Sequence, residues 1–370
     1  MTNRKIEVPF VDLKAQYESI KDDISTAIND VIALTSFIGG PYVKQFEEDF
    51  SQFCSAAHVI GVGNGTDAIT IALRALNLNP GFEAIIPANT FIATSEAVTA
   101  AGGVPVFCDV DLGTYLLDLE KAQTLISKNT RVIIPVHLYG QMMDMRTVQS
   151  FASTHDLFII EDAAQAHGAV YDKIRIGECS HFTAYSFYPG KNLGAYGDAG
   201  ALSTDHDELA QRARMWANHG RTQKYDHEFE GYNSRLDGLQ AAILSAKLRY
   251  LPEWISKRVS AANYYRQLLQ GLDVVLPTEV SEGSHVYHLF VVLLDDRDHI
   301  RSELAQAGIS SGIHYPIALP FLKAYKKFRH RPEDFPVAYE LSQKVLSLPI
   351  YPEITKEQIE YVVEVLKGHL

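Results

Sequence analysis

Short, continuous apolar runs recur along the first part of the chain, and longer segments of helical periodicity lie between them. The runs are HVIGV (58–62), EAIIPA (83–88), VPVFCDV (104–110), RVIIPVH (131–137), LFIIED (157–162), HFTAYSFY (181–188) and GALSTD (200–205). Apolar runs that do not alternate with polar residues are typical of strands covered on both faces. Helices between such strands act as crossover connections. The pattern therefore predicts an α/β domain with a mostly parallel central sheet flanked by helices.

The second part of the chain has a different pattern. Residues 207–250 have helical periodicity, and we expect Pro252 to close this stretch. After it come a further helix and apolar runs that predict strands near 272–277 and 284–295. The sequence thus predicts two domains without a flexible linker: a large domain, 1–252, and a smaller C-terminal α+β domain, 253–370.

Composition and charge exclude several classes of protein. A chain of 370 residues with 46% hydrophobic and 21% charged residues is an ordinary globular protein, and neither collagen, a coiled coil nor a disordered chain. The formal net charge is -12, and the sequence contains no basic run. We therefore expect neither nucleic acid nor an anionic membrane as a partner, although a local basic spot could still hold a phosphate.

The cysteines and the N-terminus bear on localisation. Cys54, Cys108 and Cys179 are odd in number and widely spaced, which predicts reduced thiols rather than a disulfide framework or a metal pair. The opening residues MTNRKIEVPFVDL contain no apolar signal core. The apolar stretch after Asp67 is interrupted by Arg74, which favours a core helix over a membrane span. A cytoplasmic protein is expected.

Lys191 lies in the most informative stretch, SFYPGKNLGAYGDAGAL (186–202), directly after a predicted buried strand. Most lysines are solvated surface residues, but the small residues around this one let another molecule approach closely. Burial at a strand end favours the neutral, nucleophilic amine, which can form a Schiff base with a carbonyl group. A Walker A loop is excluded, because Asn192 follows the lysine and Tyr185 replaces the first glycine.

Asp162 ends the apolar run 157–162, at the strand edge where α/β proteins bind ligands. Alone, it could equally be a helix cap or a metal ligand. Together with Lys191 it has a chemical meaning, because pyridoxal phosphate (PLP) withdraws electrons well only while its ring nitrogen stays protonated. A buried aspartate beside that nitrogen keeps it so. The pair predicts a PLP site.

The segment GVGNGTDA (61–68) joins a predicted strand to a predicted helix. Free backbone N–H groups at a helix start, with glycine for close approach, bind anions. Gly61, Gly63 and Gly65 give G-x-G-x-G rather than the dinucleotide fingerprint, which weakens the case for a nicotinamide oxidoreductase. The alternatives are a phosphate cradle and a tight turn with Thr66 as helix N-cap.

Other candidate residues are less specific. Phe91 follows the strand 83–88 and is either a core aromatic or a plate stacked on a flat cofactor. His137, His167, His219, His288 and His314 show no metal-ligand spacing, so we interpret them as core or substrate-contact residues and expect no metal. The sequence contains no G-x-S-x-G elbow, which argues against a serine hydrolase.

Taken in order, the motifs resemble the nucleotide-sugar aminotransferases of fold type I, the DegT/DnrJ/StrS family. The resemblance covers nearly the whole chain. It is carried by PFVDLKAQY, GNGTDA, PANTFIAT, PVHLYGQ, EDAAQAHGA, SFYPGKNLGAYGD, GYNSRLDGLQAA, GIHYPIALP and LSLPIYPEIT. The departures are small, such as Ala199 where many relatives have glycine.

The resemblance implies a role for each matching residue. Lys191 resembles the lysine that forms the Schiff base with PLP, and Asp162 the partner of the ring nitrogen. The other implied cofactor contacts are Gln165 at the ring hydroxyl, Phe91 in ring stacking, and Gly65, Thr66 and Ser186 at the phosphate. Asn233 resembles an asparagine that reaches the phosphate of the neighbouring subunit, which implies a homodimer with composite sites. Tyr188, His314 and Tyr315 resemble residues that border the sugar-nucleotide pocket.

The implied reaction transfers an amino group from glutamate, leaving 2-oxoglutarate, to a keto-sugar nucleotide. The stretch around Lys191 resembles relatives that aminate C3 of a dTDP-linked 3-oxo-6-deoxyhexose, whose products enter lipopolysaccharide O-antigen or S-layer glycans. The alternatives are a UDP-linked 3-oxo uronic acid and a 4-oxo sugar nucleotide. Relatives that dehydrate sugars carry histidine in place of the lysine, so Lys191 argues against that activity. A non-catalytic regulator that binds the cofactor or a sugar nucleotide is the alternative of another class.

Overall fold

The computed structural model describes residues 6–370 of the chain, which form α-helices, short 3-10 helices and β-strands. The strands are β1 (His58–Val62), β2 (Glu83–Pro87), β3 (Val104–Cys108), β4 (Thr130–Ile133), β5 (Phe158–Asp162), β6 (Val170–Tyr171), β7 (Ile174–Arg175), β8 (Phe182–Ser186), β9 (Gly200–Thr204), β10 (Arg221–Gln223), β11 (Asp226–His227), β12 (Phe290–Leu293) and β13 (Val345–Leu348). The α-helices are α1 (Leu13–Ala33), α2 (Pro41–Cys54), α3 (Gly65–Ala75), α4 (Ile92–Ala100), α5 (Leu119–Thr124), α6 (Met145–His155), α7 (Asp207–Ala217), α8 (Gly238–Leu248), α9 (Leu251–Leu269), α10 (Arg297–Gln306), α11 (Pro336–Lys344) and α12 (Lys356–Lys367).

A seven-stranded sheet with the order β1-β9-β8-β5-β4-β2-β3 forms the centre of the molecule. Strands β8, β5, β4, β2 and β3 pair in parallel, and β9 runs antiparallel to both of its neighbours, β8 and β1. The predicted α/β fold with a mostly parallel sheet is confirmed. Because every strand except β9 runs in one direction, the carboxyl ends of β1, β2, β4, β5 and β8 share one edge, where ligands bind in open α/β sheets.

The sheet is buried on both faces, which explains the continuous apolar runs. Helix α3 contacts β8, β9 and β5, and α6 contacts β5. Ile85, Ile86, Val132 and Ile133 are fully buried. Each such side chain contributes about 1.5–3 kcal/mol relative to its exposed state. The described residues, 6–370, include no helix that is long and apolar enough to span a membrane.

The segment 218–237 departs from the predicted helix over 207–250. Helix α7 ends at Ala217, and the chain forms the β10–β11 hairpin before α8 begins at Gly238. Gly220 has a positive φ of +68°, and a Cβ on it would lie 1.8 Å from the Phe229 carbonyl oxygen. A close backbone crossing that only glycine permits thus interrupts the helix. The helical prediction for this segment is wrong.

Helix α9 begins the C-terminal part of the chain. Pro252 lies in its first turn, where a missing N–H costs nothing, so the prediction that Pro252 closes the preceding helix is wrong. The expected strand near 272–277 is reduced to a single bridge between Val275 and Leu293.

A second apolar core surrounds the antiparallel pair β12–β13 and includes Tyr265, Phe290 and Val362. Val8 joins this core from the N-terminal segment. Conversely, Leu341 of α11 packs into the core around the large sheet. Each core therefore includes a residue from the other side of residue 252. The division into two domains at this residue stays a prediction.

Candidate active site

A cavity of about 850 Å³ lies at the carboxyl edge of the central sheet. It brings together residues from widely separated motifs. Its lining includes ten of the predicted site residues, namely Gly65, Thr66, Phe91, Asp162, Gln165, Ser186, Tyr188, Lys191, His314 and Tyr315. Asn233 is exposed and lies outside this lining, in the segment between α7 and α8.

The start of α3 forms an anion cradle beside the end of β8. Asn64 is the N-cap, and its side chain accepts from the Asp67 amide at 2.8 Å, so the alternative with Thr66 as cap is wrong. Within the described chain the backbone N–H groups of Gly65 and Thr66 have no acceptor. A Cβ on Gly65 would lie 2.8 Å from Cβ of Ser186, so glycine permits this close approach. The helix start and the Ser186 hydroxyl could therefore hold a phosphate group.

Asp162 lies at the end of β5 and is 5% exposed. One carboxylate oxygen accepts from Thr94 Oγ1 at 2.8 Å and the other from the Ala164 amide at 3.2 Å. Burial raises the pKa of Asp162, while these two hydrogen bonds and the Lys191 charge act in the opposite direction. No helix follows Asp162 directly, which excludes a capping role.

No cluster of three or more potential metal ligands occurs among residues 6–370.

Lys191 lies in a turn after β8. Its backbone N–H donates to the Tyr188 carbonyl at 2.8 Å and closes this turn. Lys191 is half-buried and lines the cavity. This burial lowers the pKa of Lys191 to about 8, against a smaller opposite effect of the Asp162 charge. About a tenth of the amine is thus neutral at pH 7, and the neutral amine is the form that a nucleophile or a general base requires.

Lys247 is a second lysine whose pKa burial lowers to about 8. It is 1% exposed, and its ammonium group donates to the Gly194 carbonyl at 2.5 Å. It therefore supports the turn that follows Lys191 and does not face the cavity. The cavity, rather than the pKa, distinguishes the two lysines.

Gln165 and the aromatic residues form a fixed wall of the cavity. The side-chain oxygen of Gln165 accepts from the Tyr139 amide at 2.7 Å, and its nitrogen donates to the Tyr315 hydroxyl at 3.1 Å. The rings of Tyr315 and Phe91 lie 5.8 Å apart. Phe91 is 53% exposed, so the alternative of a core aromatic is wrong. This wall offers a flat apolar surface to a planar ligand.

The histidines divide into cavity and core residues. His314 and His288 line the cavity. Burial lowers the pKa of His314 to about 4, and its Nδ1 lies 2.8 Å from Ser347 Oγ. His137 is buried and hydrogen-bonds Glu161 at 2.7 Å, and His167 is also fully buried. His219 occupies the tight turn after α7, with a φ of 59°.

The residues at or beside the site that sequence reasoning missed include Phe10, Thr94 and Arg258. Phe10 stacks on His314 at 5.7 Å, Thr94 fixes Asp162, and Arg258 lines the cavity from α9. Arg258 belongs to an ordinary helical pattern of mixed charge, and nothing local to it signals burial. The motif PANTFIAT contains Thr94, but the contact with Asp162 depends on how β2 and β5 lie in the sheet.

The fold and the site together define a class of protein. An α/β fold with a lysine of lowered pKa, a buried aspartate and an anion cradle in one cavity is that of a PLP-dependent transferase of fold type I. The residues fit the cofactor: Gly65, Thr66 and Ser186 offer donors for a phosphate, and Asp162 offers a carboxylate for a ring nitrogen.

The chain belongs to the DegT/DnrJ/EryC1/StrS aminotransferase family, which matches residues 18–367. It is therefore a PLP-dependent aminotransferase, as the sequence predicts. The structure is similar to S. venezuelae DesV in complex with a ketimine intermediate, with a TM-score of 0.96, 41% identity and coverage of 98% of both chains.

Relatives of similar identity are named for different functions. The chain is 42% identical to dTDP-3-amino-3,6-dideoxy-alpha-D-galactopyranose transaminase of Aneurinibacillus thermoaerophilus, covering 98% of this chain and 99% of that one. It is 41% identical to UDP-N-acetyl-3-dehydro-alpha-D-glucosamine 3-aminotransferase of Acidithiobacillus ferrooxidans, covering 98% of each. It is 42% identical to a pleiotropic regulatory protein of Geobacillus stearothermophilus, covering 97% of each. Identity alone does not select among these functions.

The lowered pKa of Lys191 predicts a specific pH dependence. In the cofactor-free protein, modification of Lys191 by an aldehyde should rise with pH and level off above about pH 8, since only the neutral amine reacts. An ordinary lysine has a pKa of about 10.4, so its modification should still be rising there. Reductive methylation at limiting formaldehyde, followed by peptide mapping, gives the profile of each lysine separately.

The exposed Lys128 is the internal control for that profile, because it lies before β4 at the opposite edge of the sheet. The Asp162→Asn variant should lower the pKa of Lys191 further, because the Asp162 charge raises it. A Lys191 profile that coincides with that of Lys128 would contradict the lowered pKa.

Proposed function

We propose that the protein transfers the amino group of glutamate to C3 of a dTDP-linked 3-oxo-6-deoxyhexose and so makes a dTDP-3-amino-3,6-dideoxyhexose. The observation that carries the proposal is the meeting of Lys191, Asp162 and the cradle of Gly65, Thr66 and Ser186 in one cavity. Support for C3 and for dTDP comes from the resemblance of the stretch around Lys191 to C3 aminotransferases and from the A. thermoaerophilus relative.

Lys191 and Asp162 have proposed roles in the proton transfers of the reaction. When bound, PLP supplies an electron-withdrawing ring that stabilises negative charge on the carbon that loses a proton. Lys191, as the neutral amine, takes the proton from Cα of the donor and delivers a proton in the second half of the reaction. Asp162, fixed by Thr94 and Ala164, keeps a proton on the ring nitrogen, because a cation there favours its carboxylate form.

The remaining residues bind and orient. Gly65, Thr66 and Ser186 hold the phosphate of the cofactor, Gln165 lies at the ring hydroxyl, and Phe91 covers the ring. For the sugar nucleotide we propose contacts with Tyr188, His314 and Tyr315. Tyr188 is 61% exposed at the cavity, which suits a residue that becomes covered when substrate binds. His314 stays neutral at pH 7 and so can accept or donate a hydrogen bond to a sugar hydroxyl.

A UDP-linked 3-oxo sugar is the second candidate substrate, and the A. ferrooxidans relative favours it. The two candidates differ in the base, in the substituent at C2 of the sugar and in its C6 group, so one assay separates them. The purified protein is incubated with glutamate and each keto-sugar nucleotide in turn, and the aminated product is identified by its mass. Amination of the dTDP-linked 3-oxo-6-deoxyhexose supports the proposal. Selective amination of a UDP-linked or 4-oxo sugar would overturn it.

We also propose a homodimer in which each active site takes Asn233 from the partner subunit. Leu34, Phe37 and Ile38 are exposed, and Ile38 bridges Asp237 at the start of α8. An apolar surface thus lies beside the segment that carries the exposed Asn233, and a second copy would cover both. The amino-sugar nucleotide would form in the cytoplasm and supply an O-antigen or S-layer glycan.

Subunit mixing should show whether the sites are composite. Lys191→Ala and Asn233→Asp subunits should each be inactive, the second because its charge repels the phosphate. In a mixed dimer, one site combines an intact Lys191 with an intact Asn233 from the other chain. An equal mixture should therefore recover roughly a quarter of the wild-type specific activity, since half of the dimers carry one intact site of two.

The matched control for that mixture pairs Lys191→Ala with Lys191→Ala/Asn233→Asp, which cannot rebuild a site in any combination. Exchange of subunits is followed by native mass spectrometry with one chain isotopically labelled. Exchange without recovered activity, or full activity in a sedimenting monomer, would contradict the composite site.

A further inference from the structure

Lys191 belongs to a loop after β8, residues 187–197, which we call the lysine loop. Within this loop the backbone doubles back on itself. A Cβ on Gly194 would lie 2.2 Å from the Pro189 carbonyl oxygen, so only glycine permits this contact. Lys191 lies between these two residues along the chain. Its place in the cavity therefore depends on where Gly194 is held.

The carbonyl of Gly194 is held from outside the loop by Lys247 of α8, whose Nζ donates to it at 2.5 Å. The N–H of the same peptide group, on Ala195, donates to the Phe187 carbonyl at 2.8 Å. The ammonium group, the peptide group and the second carbonyl thus form a chain of two hydrogen bonds. A positive charge at one end polarises the peptide group and strengthens the bond at the other end, which closes the loop at its base.

Gln240 provides a second contact from the same helix. Its side-chain oxygen accepts from the Tyr196 amide at 2.8 Å. Gln240 and Lys247 are seven residues apart in α8, close to two helical turns, so they lie on one face of it. The Lys247 ammonium group also lies 4.9 Å from the centre of the Tyr196 ring, a cation–π contact. One face of α8 therefore holds residues 194–196 of the lysine loop.

The charge of Lys247 is costly where it lies. The side chain is 1% exposed and, within residues 6–370, makes no ion pair, since Glu353 acts on it only from beyond 4.0 Å. Burial lowers the pKa of Lys247 to about 8, so about nine tenths of the amine is still charged at pH 7. An apolar side chain of similar volume would fill this place without the free energy that desolvating a cation costs. Core packing alone therefore does not account for a lysine here.

We propose that Lys247, with Gln240, is a positioning residue for Lys191. The face of α8 that carries them holds the lysine loop closed and so keeps the Lys191 amine in place at the cavity. This inference rests on the proposed role of Lys191 in the aminotransferase reaction. Neither Lys247 nor Gln240 lines the cavity, so both act through the loop. Asn192 fixes the loop independently through the Val286 carbonyl at 3.1 Å, so loss of the α8 contacts should loosen the loop without unfolding it.

The first measurement uses the cofactor-free protein and does not depend on any reaction. Hydrogen exchange followed by mass spectrometry reports the opening of each segment. In Lys247→Met, which keeps the length of the side chain but not the ammonium group, the amides of the lysine loop should exchange roughly tenfold faster or more. Peptides from α6 and α12 should exchange as in the wild type, because the loss is local. Gln240→Leu should have the same effect to a smaller degree, and it decides the matter if Lys247→Met does not fold.

The second measurement is the half-reaction with glutamate, followed in single turnovers by the loss of the cofactor's absorbance and without any sugar. In Lys247→Met the rate constant at saturating glutamate should fall roughly 10–10²-fold, because a misplaced amine takes the proton slowly. The glutamate concentration at half-saturation should stay within a few-fold of the wild-type value. A residue that only supports the fold would lower the amplitude of the single turnover and leave its rate constant unchanged.

The matched control is Arg297→Met. Arg297 of α10 is also a buried cation that donates to backbone carbonyls, those of Ser342 at 3.3 Å and Val345 at 3.2 Å, but it does not line the cavity. This variant should keep both the wild-type rate constant and the wild-type exchange of the lysine loop, whatever its effect on thermal stability.

Three results would overturn the proposal. Equally faster exchange in all peptides would assign Lys247 to the stability of the fold. Unchanged exchange of the lysine loop, whatever the rate constant, would show that the ammonium group does not hold the loop. Faster exchange of the loop with a wild-type rate constant would show that Lys191 does not need the closed loop. If borohydride reduction places the cofactor on another lysine, the proposed role of Lys191 fails, while the exchange measurement still decides whether α8 holds the loop.

Discussion

Replacement of Lys191 by alanine should abolish transamination and leave the fold intact. The side chain makes no ion pair within the described chain, and its burial disfavours the charged form, so its removal costs little stability. In the proposed reaction its amine takes the proton from the donor, and its pKa of about 8 leaves part of the amine neutral at pH 7. We expect a loss of turnover on the order of 10⁴ or more, the upper range for removal of a general base.

The measurement combines single-turnover kinetics with a chemical assignment. Borohydride reduction of the wild-type holoenzyme, followed by peptide mapping, should place the cofactor on Lys191. Lys128→Ala, at the opposite edge of the sheet, is the matched control and should retain wild-type activity. A label on another lysine, Lys247 included, or an active Lys191→Ala variant, would refute the assignment.

Replacement of Asp162 by asparagine should keep the geometry of the site and remove its charge. The amide oxygen can still accept from the Ala164 amide. Thr94 can turn its hydroxyl proton towards Thr90, whose Oγ1 lies 3.3 Å away. The variant then lacks the carboxylate that keeps a proton on the ring nitrogen. We expect the rate of each half-reaction to fall by roughly 10²–10³-fold, as for removal of one preorganised electrostatic partner.

Cofactor affinity should change much less than the rate in that variant, because the phosphate cradle and Lys191 are untouched. Equilibrium dialysis against PLP and single-turnover kinetics measure the two quantities separately. Asp156→Asn, just before the other end of the same strand β5, provides the control for a lost surface charge. Wild-type rates in Asp162→Asn would mean that this carboxylate serves only packing.

The sequence predicts a site where the candidate residues lie close together along the chain. Lys191 with its small neighbours, and the glycines before α3, are local signals. The structure places Lys191, Gly190 and Gly65 at one cavity, whereas Gly61 and Gly63 do not line it. Their individual roles remain predictions, because a shared cavity shows proximity and not a task. The alternative that Thr66 caps the helix is wrong, because Asn64 takes the capping position one residue before it.

The pattern of apolar and polar residues along the chain could not predict contacts between distant segments. Segment 218–237 has helical periodicity, yet Gly220 must pass close to the Phe229 carbonyl, and the chain forms a hairpin instead. Burial of Arg258 follows from the backbone carbonyls of two other segments that meet at its guanidinium group. Neither effect has a signature in the neighbouring residues.

The sequence alone determined the class of fold, because strands buried on both faces must be continuously apolar whatever their order in the sheet. It also determined the family, because many motifs recur in order along the whole chain. Only the tertiary structure decided which of two lysines with a lowered pKa lines the cavity. Burial and pairing are properties of side chains that meet across the fold, and the energy of a charge depends on those neighbours rather than on its position along the chain.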